Sequence, residues 1–348
     1  MAAMVVKNRQ IMLKDYVTGS FEVSDLQLHD GTCLLQLQEG TKDVLLKNLY
    51  ISPDPYMRGR MQKRTNSYVD SFLPGSVITG FGVSQVVLSS HPKFSKGDFV
   101  TGFTGWEDFS IVKGESLRPL PTGNSFPLTH FLGVLGMPGL TAYAGFYKVC
   151  SPKEGDNVFV SAASGAVGQL VGQFAKLLGC YVVGSAGSKE KVDLLKSTFG
   201  FDEAFNYREQ TDLDAALKKY FPNGIDIYFE NVGGKMLDAV LNNINVFARI
   251  AVCGMISRYE SAEPYAIQNL IQLIPKRAKM QGFLATDFSH LYPEVTEKVG
   301  VLLKEKKVVY IEDVTEGLEN APTAMLDVLH GKNVGKKIVK VSDPDINL

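Results

Sequence analysis

The chain has 348 residues, and since typical domains have roughly 100 to 200 residues, we expect two domains. Its apolar fraction of 45% and charged fraction of 21% are ordinary for a globular protein and exclude a disordered or fibrous class. The net charge of -1, with basic and acidic residues interspersed, argues against a nucleic-acid partner.

The cysteines and the N-terminus predict a cytoplasmic protein. Cys33, Cys150, Cys180 and Cys253 are far apart and form no CxxC pair, so free thiols in a reducing compartment are expected. The first residues, MAAMVVKNRQIMLKDY, lack the apolar stretch of a signal peptide, and no window approaches the roughly 18 apolar residues of a membrane span. We therefore expect no membrane attachment.

The region up to about Phe126 has the pattern of a compact all-β module. Short β-rich runs are separated by Gly, Pro and Asp, and these runs are CLLQLQ, DVLLKNLYIS, ITGFGVSQVVL, DFVTGF and DFSIVKG. Such even spacing of short strands is typical of a sandwich or barrel.

From about Leu128 the pattern changes to alternating strands and helices. The strand-like runs are NVFVSA, CYVVGSA, EAFNY, GIDIYFENV, RIAVCG and KMQGFLA, and helical runs such as QLVGQFAKLLG, KEKVDLLKSTFG and IQNLIQLI follow them. Repeated β then α units predict the α/β class, with a doubly wound parallel sheet over residues 128–311. The last strand-like run, GKNVGKKIVKVS, is expected to return to the first domain, which then comprises residues 1–127 and 312–348.

The stretch SAASGAVGQLVG resembles the dinucleotide-binding turn GxGxxG. Aligned with that pattern it reads Ala163, Ser164, Gly165, Ala166, Val167 and Gly168, so only the first glycine is replaced. The central glycine lets backbone N–H groups approach a pyrophosphate, and the third lets the helix pack close to the strand. Such a turn could also be an ordinary strand-to-helix connection, but its place in the first of the β/α units favours dinucleotide binding.

The end of the second strand of this domain favours NADP(H) over NAD(H). An acidic residue about 20 residues after the turn would accept the ribose 2′-hydroxyl of NAD, but the strand CYVVGSAGSKEK ends without one. Instead Lys189 and Lys191 lie in the first turn of a helix for which Ser188 is the expected N-cap, and cations there oppose the helix dipole. A 2′-phosphate would supply the missing negative charge, whereas the alternative is a solvated lysine partly offset by Glu190.

The histidines and cysteines argue against a catalytic zinc, and no metal site is predicted. The histidines are scattered, and none stands beside a cysteine at ligand spacing. Without a Lewis acid, hydride transfer to a conjugated enal or enone is easier to support than alcohol oxidation. Hydride adds to the β-carbon, and a hydrogen-bond donor can stabilise the resulting enolate.

Five motifs together identify a family resemblance over nearly the whole chain. They are SPDPYMRGRM, AASGAVGQ, YFENVGG, VCGMISRYE and GKNVGKKIV. The chain resembles the zinc-independent medium-chain reductases of the leukotriene B4 dehydrogenase or prostaglandin reductase group, and is most similar to the plant NADPH-dependent alkenal double-bond reductases. The resemblance implies a GroES-like β-domain plus a Rossmann domain, usually in a homodimer, and NADPH as cofactor.

The resemblance also implies roles for individual residues. Tyr259 matches a tyrosine beside the nicotinamide ribose that orients cofactor and substrate carbonyl and delivers the α-proton, a step that solvent water could also perform. Tyr56 matches a residue that lines the substrate pocket and is, with Tyr259, an implied catalytic residue. Phe81 stands where many relatives have tyrosine, which leaves the substrate preference open. The implied cofactor contacts are Pro53, the turn from Ala163 to Gly168, Gly187, Lys191, Tyr207, Asn231, Cys253, Ser257, Tyr259, Phe283, Leu284 and Asn333.

These features predict an NADPH-dependent reductase of the double bond in α,β-unsaturated aldehydes and ketones. Quinone reduction needs the same cofactor site and stays open as an alternative. A non-catalytic NADPH-binding protein is the alternative from another class. Without the family resemblance, both Tyr56 and Tyr259 could be rim aromatics with structural hydroxyls.

Overall fold

A computed structural model describes residues 4–121, 126–261, 263 and 265–345. The chain forms two compact units. The first unit contains the chain up to Leu132 together with Asp313–Asn333 and the residues from Lys337 onward. The second contains Gly133–Glu312 and Val334–Lys336.

The strands are, in chain order, β1 Val5–Leu13, β2 Leu26–Leu34, β3 Asp43–Ile51, β4 Thr79–Ser89, β5 Phe99–Gly105, β6 Phe109–Lys113, β7 Leu117–Pro119, β8 Asn157–Val160, β9 Tyr181–Ala186, β10 Glu203–Asn206, β11 Ile225–Glu230, β12 Ile244–Val252, β13 Lys279–Gly282, β14 Glu312–Glu316 and β15 Lys336–Lys340. The α-helices are α1 Met57–Arg60, α2 Met137–Tyr143, α3 Gly168–Leu177, α4 Lys189–Ser197, α5 Leu213–Tyr220, α6 Gly234–Asn243, α7 Leu273–Lys276, α8 Tyr292–Lys304 and α9 Ala321–Leu329. A π-helical segment, Ala144–Cys150, continues α2, and 3-10 turns include Tyr207–Glu209, Ile256–Arg258, Asn269–Gln272 and Ala285–Leu291.

The first unit is built on a mostly antiparallel sheet. Its strand order is β14-β15-β3-β4-β5-β7, with β6 paired to β3, and β1 and β2 form a separate two-stranded ribbon. The buried core includes Trp106, Met57 and Phe72 from the N-terminal part together with Leu318 and Met325 from the C-terminal part. The last segment therefore contributes both a strand and core side chains to this unit.

The second unit is a parallel six-stranded sheet with the order β10-β9-β8-β11-β12-β13. The order reverses between β8 and β11, which is the point where open parallel sheets bind ligands at the carboxyl ends of their strands. The strands read as continuous apolar runs because both faces are covered; Phe159 stacks between Phe205 and Tyr228, with ring centroids 5.9 and 5.2 Å away. The predicted α/β class and doubly wound sheet are confirmed.

Some element limits differ from the sequence expectation. The strand NVFVSA ends at Val160, because the next residues turn and Ala162 adopts a left-handed conformation with φ 47°. The run IQNLIQLI forms a 3-10 turn and only the four-residue helix α7, which includes Pro275 and ends at the left-handed Arg277. In the described part of the chain, the helices are too short or too polar to cross a bilayer.

Candidate active site

The turn between β8 and α3 contains one tightly packed glycine and one open glycine. A Cβ on Gly168 would lie 2.7 Å from both Ala162 O and Ala163 Cα, so only glycine fits where the helix meets the turn. At Gly165 a Cβ would approach only Ala162 O, at 3.2 Å. The turn therefore combines a tight third glycine with an open central glycine, as a pyrophosphate would require.

The carboxyl end of β9 is bordered by an aromatic and two cationic side chains. Ser188 is the N-cap of α4 as expected, because its hydroxyl accepts the Lys191 backbone N–H at 3.3 Å. Lys191 itself is only 7% exposed, which rules out the alternative of a solvated surface lysine. Tyr207 and Arg208 lie over Gly187, where a Cβ would be 3.3 Å from Tyr207 Cε1 and from Arg208 Nε.

Arg208 is a candidate that the sequence reasoning missed. Its Nε donates to the Tyr207 hydroxyl at 3.3 Å, so both residues border the same position. β9 and β10 pair in parallel with Asn206 opposite Ala186, and this register carries the two residues after β10 to the position beside Gly187. A basic residue directly after the third strand of the domain is the signal that could have found it.

Asn231 joins the carboxyl ends of β8 and β11. Its Nδ2 donates to Ser161 O at 2.8 Å, and its backbone N–H donates to the Ser161 hydroxyl at 3.1 Å. The Tyr228 hydroxyl lies 3.0 Å from the Ser161 hydroxyl oxygen and donates to Glu230 Oε1 at 2.8 Å. Asn231 is thus fixed at the point where the strand order reverses, by partners that the sequence analysis did not identify.

Glu230 is fully buried at the end of β11. Burial raises the pKa of its carboxyl, and hydrogen bonds from the Gly233 and Val232 backbone N–H groups and from Tyr228 oppose this rise. Burial, and to a smaller extent the charge of Glu230, raise the pKa of the Cys253 thiol to about 12. At neutral pH Cys253 is therefore a neutral thiol.

The segment from Cys253 to Tyr259 lies against the loop that follows β11. The Cys253 backbone N–H donates to Glu230 O at 2.9 Å, and the Ser257 N–H donates to Val232 O at 3.0 Å. A 3-10 turn then leads to Tyr259, whose hydroxyl would be 3.1 Å from a Cβ on Gly254. The structure thus brings Asn231, Cys253, Ser257 and Tyr259 together in the second unit.

Phe283 and Leu284 follow β13 and so lie beyond the carboxyl end of the sixth strand. The Phe283 ring packs edge-on against Phe229 of β11, with centroids 6.2 Å apart. Asn333 belongs to the first unit and directly precedes Val334–Lys336, in which Gly335 forms a parallel bridge with Gly165 of the turn.

Tyr56, Pro53 and Phe81 belong to the first unit. The segment that contains Pro53 and Tyr56 is attached to β4, because the Ser52 N–H donates to Phe81 O at 2.9 Å. The Phe81 ring packs on Phe103, with centroids 4.4 Å apart. The structure therefore places Phe81 beside the DPYMR segment rather than at a separate surface.

The Tyr56 phenol is held in its neutral form. Burial and the charge of Asp54 raise its pKa, and the positive charge of Arg60 opposes this rise. The Arg60 guanidinium lies 4.0 Å from the centroid of the Phe72 ring and donates to the carbonyls of Asp70 and Thr79, each at 2.9 Å. Tyr56 can thus act as a hydrogen-bond donor but not as a phenolate.

Within the described residues, no group of three or more His, Cys, Asp or Glu side chains could hold a metal ion.

Known families match both units. Residues 9–120 match the family described as the N-terminal domain of oxidoreductase, and residues 166–300 match the family described as zinc-binding dehydrogenase.

Relatives match over nearly the full length. The chain is 61% identical to the NADP(+)-dependent 2-alkenal reductase of Nicotiana tabacum, over 97% of this chain and 98% of that protein. It is 54% identical to the (+)-pulegone reductase of Mentha piperita, over 97% and 99%. The crystal structure of CurA in complex with NADPH from Vibrio vulnificus is 42% identical, with a TM-score of 0.89 over 97% of this chain and 100% of that one.

The turn after β8, the reversed strand order and these full-length identities agree, and the chain belongs to the medium-chain dehydrogenase/reductase superfamily, within its leukotriene B4 dehydrogenase or prostaglandin reductase group.

Proposed function

We propose that this chain is an NADPH-dependent 2-alkenal reductase, which reduces the carbon–carbon double bond of α,β-unsaturated aldehydes and ketones. The observation that carries the proposal is the carboxyl edge of the parallel sheet. There Tyr207 and Arg208 border Gly187, and the Tyr259 hydroxyl approaches Gly254. The activity named for the tobacco relative at 61% identity supports the same reaction.

The residues at this edge fit NADPH. Gly165 leaves the backbone of the turn open to a pyrophosphate, and no carboxylate stands at the end of β9 to repel a 2′-phosphate. Lys191, Tyr207 and Arg208 supply the charge and the hydroxyl that a phosphate monoester binds. The proposed contacts are Pro53, the turn from Ala163 to Gly168, Gly187, Lys191, Tyr207, Arg208, Asn231, Cys253, Ser257, Tyr259, Phe283, Leu284 and Asn333.

When bound, NADPH supplies the hydride that adds to the substrate β-carbon. The electron pair of the double bond then moves to the carbonyl oxygen, and the Tyr259 hydroxyl donates a hydrogen bond to this enolate oxygen. Addition of a proton to the α-carbon completes the saturated carbonyl compound. We propose that the Tyr259 hydroxyl supplies that proton and that solvent water then returns a proton to the resulting phenolate.

In the first unit, Tyr56 and Phe81 are the proposed substrate contacts. Phe81 and Phe103 form a paired aromatic surface that carries no hydroxyl, and the neutral Tyr56 adds one donor. We therefore expect a preference for enals and enones with apolar or aromatic substituents over hydroxylated ones.

We further propose that residues 1–127 and 312–348 act as the substrate domain and residues 128–311 as the cofactor domain of a cytoplasmic homodimer. Support for a dimer comes from the second unit, where β13 is an edge strand. Several large apolar side chains near it are exposed: Val246, Phe247, Leu270, Ile271 and Ile274. An exposed edge beside an apolar patch favours pairing with a second copy.

The dimer proposal is tested by light scattering. The wild-type chain is expected at twice the monomer mass, and replacement of Ile271 and Ile274 by Asp is expected to give monomers. A wild-type monomer at micromolar concentration would contradict the proposal.

The activity is tested by incubating the purified protein with NADPH and a short 2-alkenal and identifying the product. We expect the saturated aldehyde, with one NADPH consumed per product. An allylic alcohol would contradict the proposal, because it requires attack at the carbonyl carbon. A quinone and NADH, each tested in parallel, separate quinone reduction and NADH-dependent activity from the proposed reaction.

A further inference from the structure

The buried carboxyl of Glu230 accepts hydrogen bonds from the backbone of the loop that follows it. Its Oε1 accepts hydrogen bonds from the Tyr228 hydroxyl at 2.8 Å, the Val232 N–H at 2.5 Å and the Gly233 N–H at 2.9 Å, and a longer one from the Ser161 hydroxyl at 3.4 Å. A buried carboxyl is costly unless such donors surround it. These donors, all on Oε1, connect the side chain to both sides of residue 231.

The loop that follows Glu230 has little conformational constraint of its own. Gly233 and Gly234 both have left-handed backbones, with φ 74° and 57°, and glycine loses the most conformational entropy on folding. Glycine is nevertheless needed, because a Cβ on Gly233 would come within 2.9 Å of Met255 Cβ and one on Gly234 within 3.0 Å of Ser257 Oγ. The hydrogen bonds to Glu230 therefore supply the order that the loop sequence lacks.

The segment that leads to Tyr259 is attached to the same loop. The Ile256 N–H donates to Asn231 O at 3.1 Å, and the Ser257 hydroxyl donates to Val232 O at 2.5 Å. The Gly254 N–H donates to the Glu230 carbonyl oxygen at 3.2 Å. These hydrogen bonds join the loop that follows Glu230 to the segment from Cys253 to Tyr259.

We propose that Glu230 is a positioning residue for the nicotinamide end of the cofactor site: its carboxyl fixes the 231–233 loop, and the loop fixes the 253–259 segment that ends in Tyr259. The inference rests on the proposed NADPH-dependent function. Glu230 acts through Asn231 and Tyr259 and does not itself contact the reacting atoms. Because the phosphate-binding residues Lys191, Tyr207 and Arg208 do not share these hydrogen bonds, binding of the adenosine 2′-phosphate part is independent of Glu230.

The test compares Glu230→Ala and Glu230→Gln with the control Asp238→Ala. Asp238 is a second buried carboxyl of the same unit, and it also fixes a loop by accepting backbone N–H groups, those of Gln268 and Asn269 at 2.9 and 2.8 Å. Glutamine retains an oxygen at the Oε1 position, so Glu230→Gln is expected to keep the loop attached. Tyr228→Phe, which removes one of the donors to Oε1, is the fallback variant if Glu230→Ala does not fold.

Amide hydrogen exchange without cofactor is the first measurement. In Glu230→Ala we expect exchange in residues 231–234 and 253–259 to become about 10-fold faster or more, with the turn after β8 unchanged. Glu230→Gln and Asp238→Ala should leave both segments close to wild type. Unchanged exchange in residues 253–259 of Glu230→Ala would overturn the proposal.

Ligand affinity and turnover are the second measurement. Adenosine 2′,5′-bisphosphate, which lacks the nicotinamide, should bind Glu230→Ala as it binds wild type, whereas NADPH should bind about 10-fold more weakly and kcat with a 2-alkenal should fall about 10- to 100-fold. Glu230→Gln is expected to restore kcat to within a few-fold of wild type. Equal losses for both ligands, or the same fall in kcat for Asp238→Ala, would reduce Glu230 to a general stabilising residue. A wild-type protein that turns over no enal would sink the proposed function but leave the exchange and affinity results to decide the role of Glu230.

Discussion

The methyl group of Ala163 occupies the space that a glycine on the neighbouring strand leaves open. Ala163 is fully buried, and a Cβ on Gly184 would come within 2.8 Å of its methyl carbon. The same Cβ would lie 2.8 Å from Phe201 Cε1 and 2.9 Å from Leu195 Cδ1. β8 and β9 pair in parallel with Val160 opposite Gly184, so the residue that replaces the first glycine of the turn is accommodated by a glycine across the sheet.

Gly184→Ala should therefore destabilise the fold by about 1 to 3 kcal/mol through overpacking. Thermal unfolding measures this loss. The double variant with Gly184→Ala and Ala163→Gly should recover only part of the lost stability, because the close contacts with Phe201 and Leu195 remain. An unchanged unfolding temperature in Gly184→Ala would show that the turn can move away at no cost.

Arg208→Ala should weaken NADPH binding about 10- to 100-fold and leave NADH binding unchanged, because charge-assisted hydrogen bonds to a phosphate contribute about 1.5 to 3 kcal/mol. Lys191→Ala should have the same selectivity. The control is Lys189→Ala, an exposed cation in the same turn of α4 that pairs with Asp193 at 2.5 Å. Fluorescence titration with both cofactors is the measurement, and equal losses for NADPH and NADH would remove the 2′-phosphate assignment.

Tyr259→Phe should lower kcat about 100-fold while the Kd for NADPH changes little, because the hydroxyl acts on the substrate oxygen and on proton delivery. The matched control is Tyr265→Phe, a tyrosine of the same unit whose hydroxyl donates to Asp238 at 3.0 Å. Steady-state kinetics with a 2-alkenal gives the comparison. If Tyr259→Phe turned over at the wild-type rate, solvent would be the proton source and Tyr259 a packing residue.

The stability of the fold should depend on pH through Glu230. Burial raises the pKa of Glu230 in the folded protein above its value in the unfolded chain, so folding favours the neutral carboxyl over the carboxylate. The free energy of unfolding therefore contains a contribution from neutral Glu230, which is fully present below the pKa of the unfolded chain. This contribution is lost as the pH rises through the pKa of the folded protein, and it amounts to about 1.4 kcal/mol for each pH unit between the two pKa values. The nearby Cys253 and Tyr228 stay neutral throughout, because their pKa values are also raised.

The unfolding temperature of Glu230→Gln relative to wild type should accordingly rise between pH 4 and pH 8. Glu209→Gln, at an exposed carboxyl, is the control. A difference between Glu230→Gln and wild type that stays constant with pH would mean that folding leaves the pKa of Glu230 unchanged.

Alkylation of the native cysteines should be slow. Burial raises the pKa of Cys150 and Cys253 to about 12 and that of Cys180 to about 11, and it also raises the pKa of Cys33. Since the thiolate is the nucleophile, reaction with iodoacetamide at pH 8 should be at least about 10-fold slower than in urea-unfolded protein. Mass spectrometry of each cysteine checks this, and rapid labelling of native Cys253 would contradict it. The same protection would limit alkylation by enal substrates, which are themselves electrophiles.

The sequence by itself determined the α/β class, because alternating apolar strands and amphipathic helices are local patterns that survive without any tertiary information. It also predicted NADP(H), since the missing acid after β9 and the lysines of α4 lie within a dozen residues of one another. The N-cap at Ser188 follows from the same short-range chemistry.

Only the tertiary structure placed Arg208 beside Gly187 and joined Glu230 to the segment that carries Tyr259. Both relationships depend on the register and order of parallel strands, which bring residues about twenty or more positions apart to one edge of the sheet. The accommodation of Ala163 by Gly184 has the same origin. Strand order and register are set by packing on both faces of the sheet, and a short sequence motif carries no information about either.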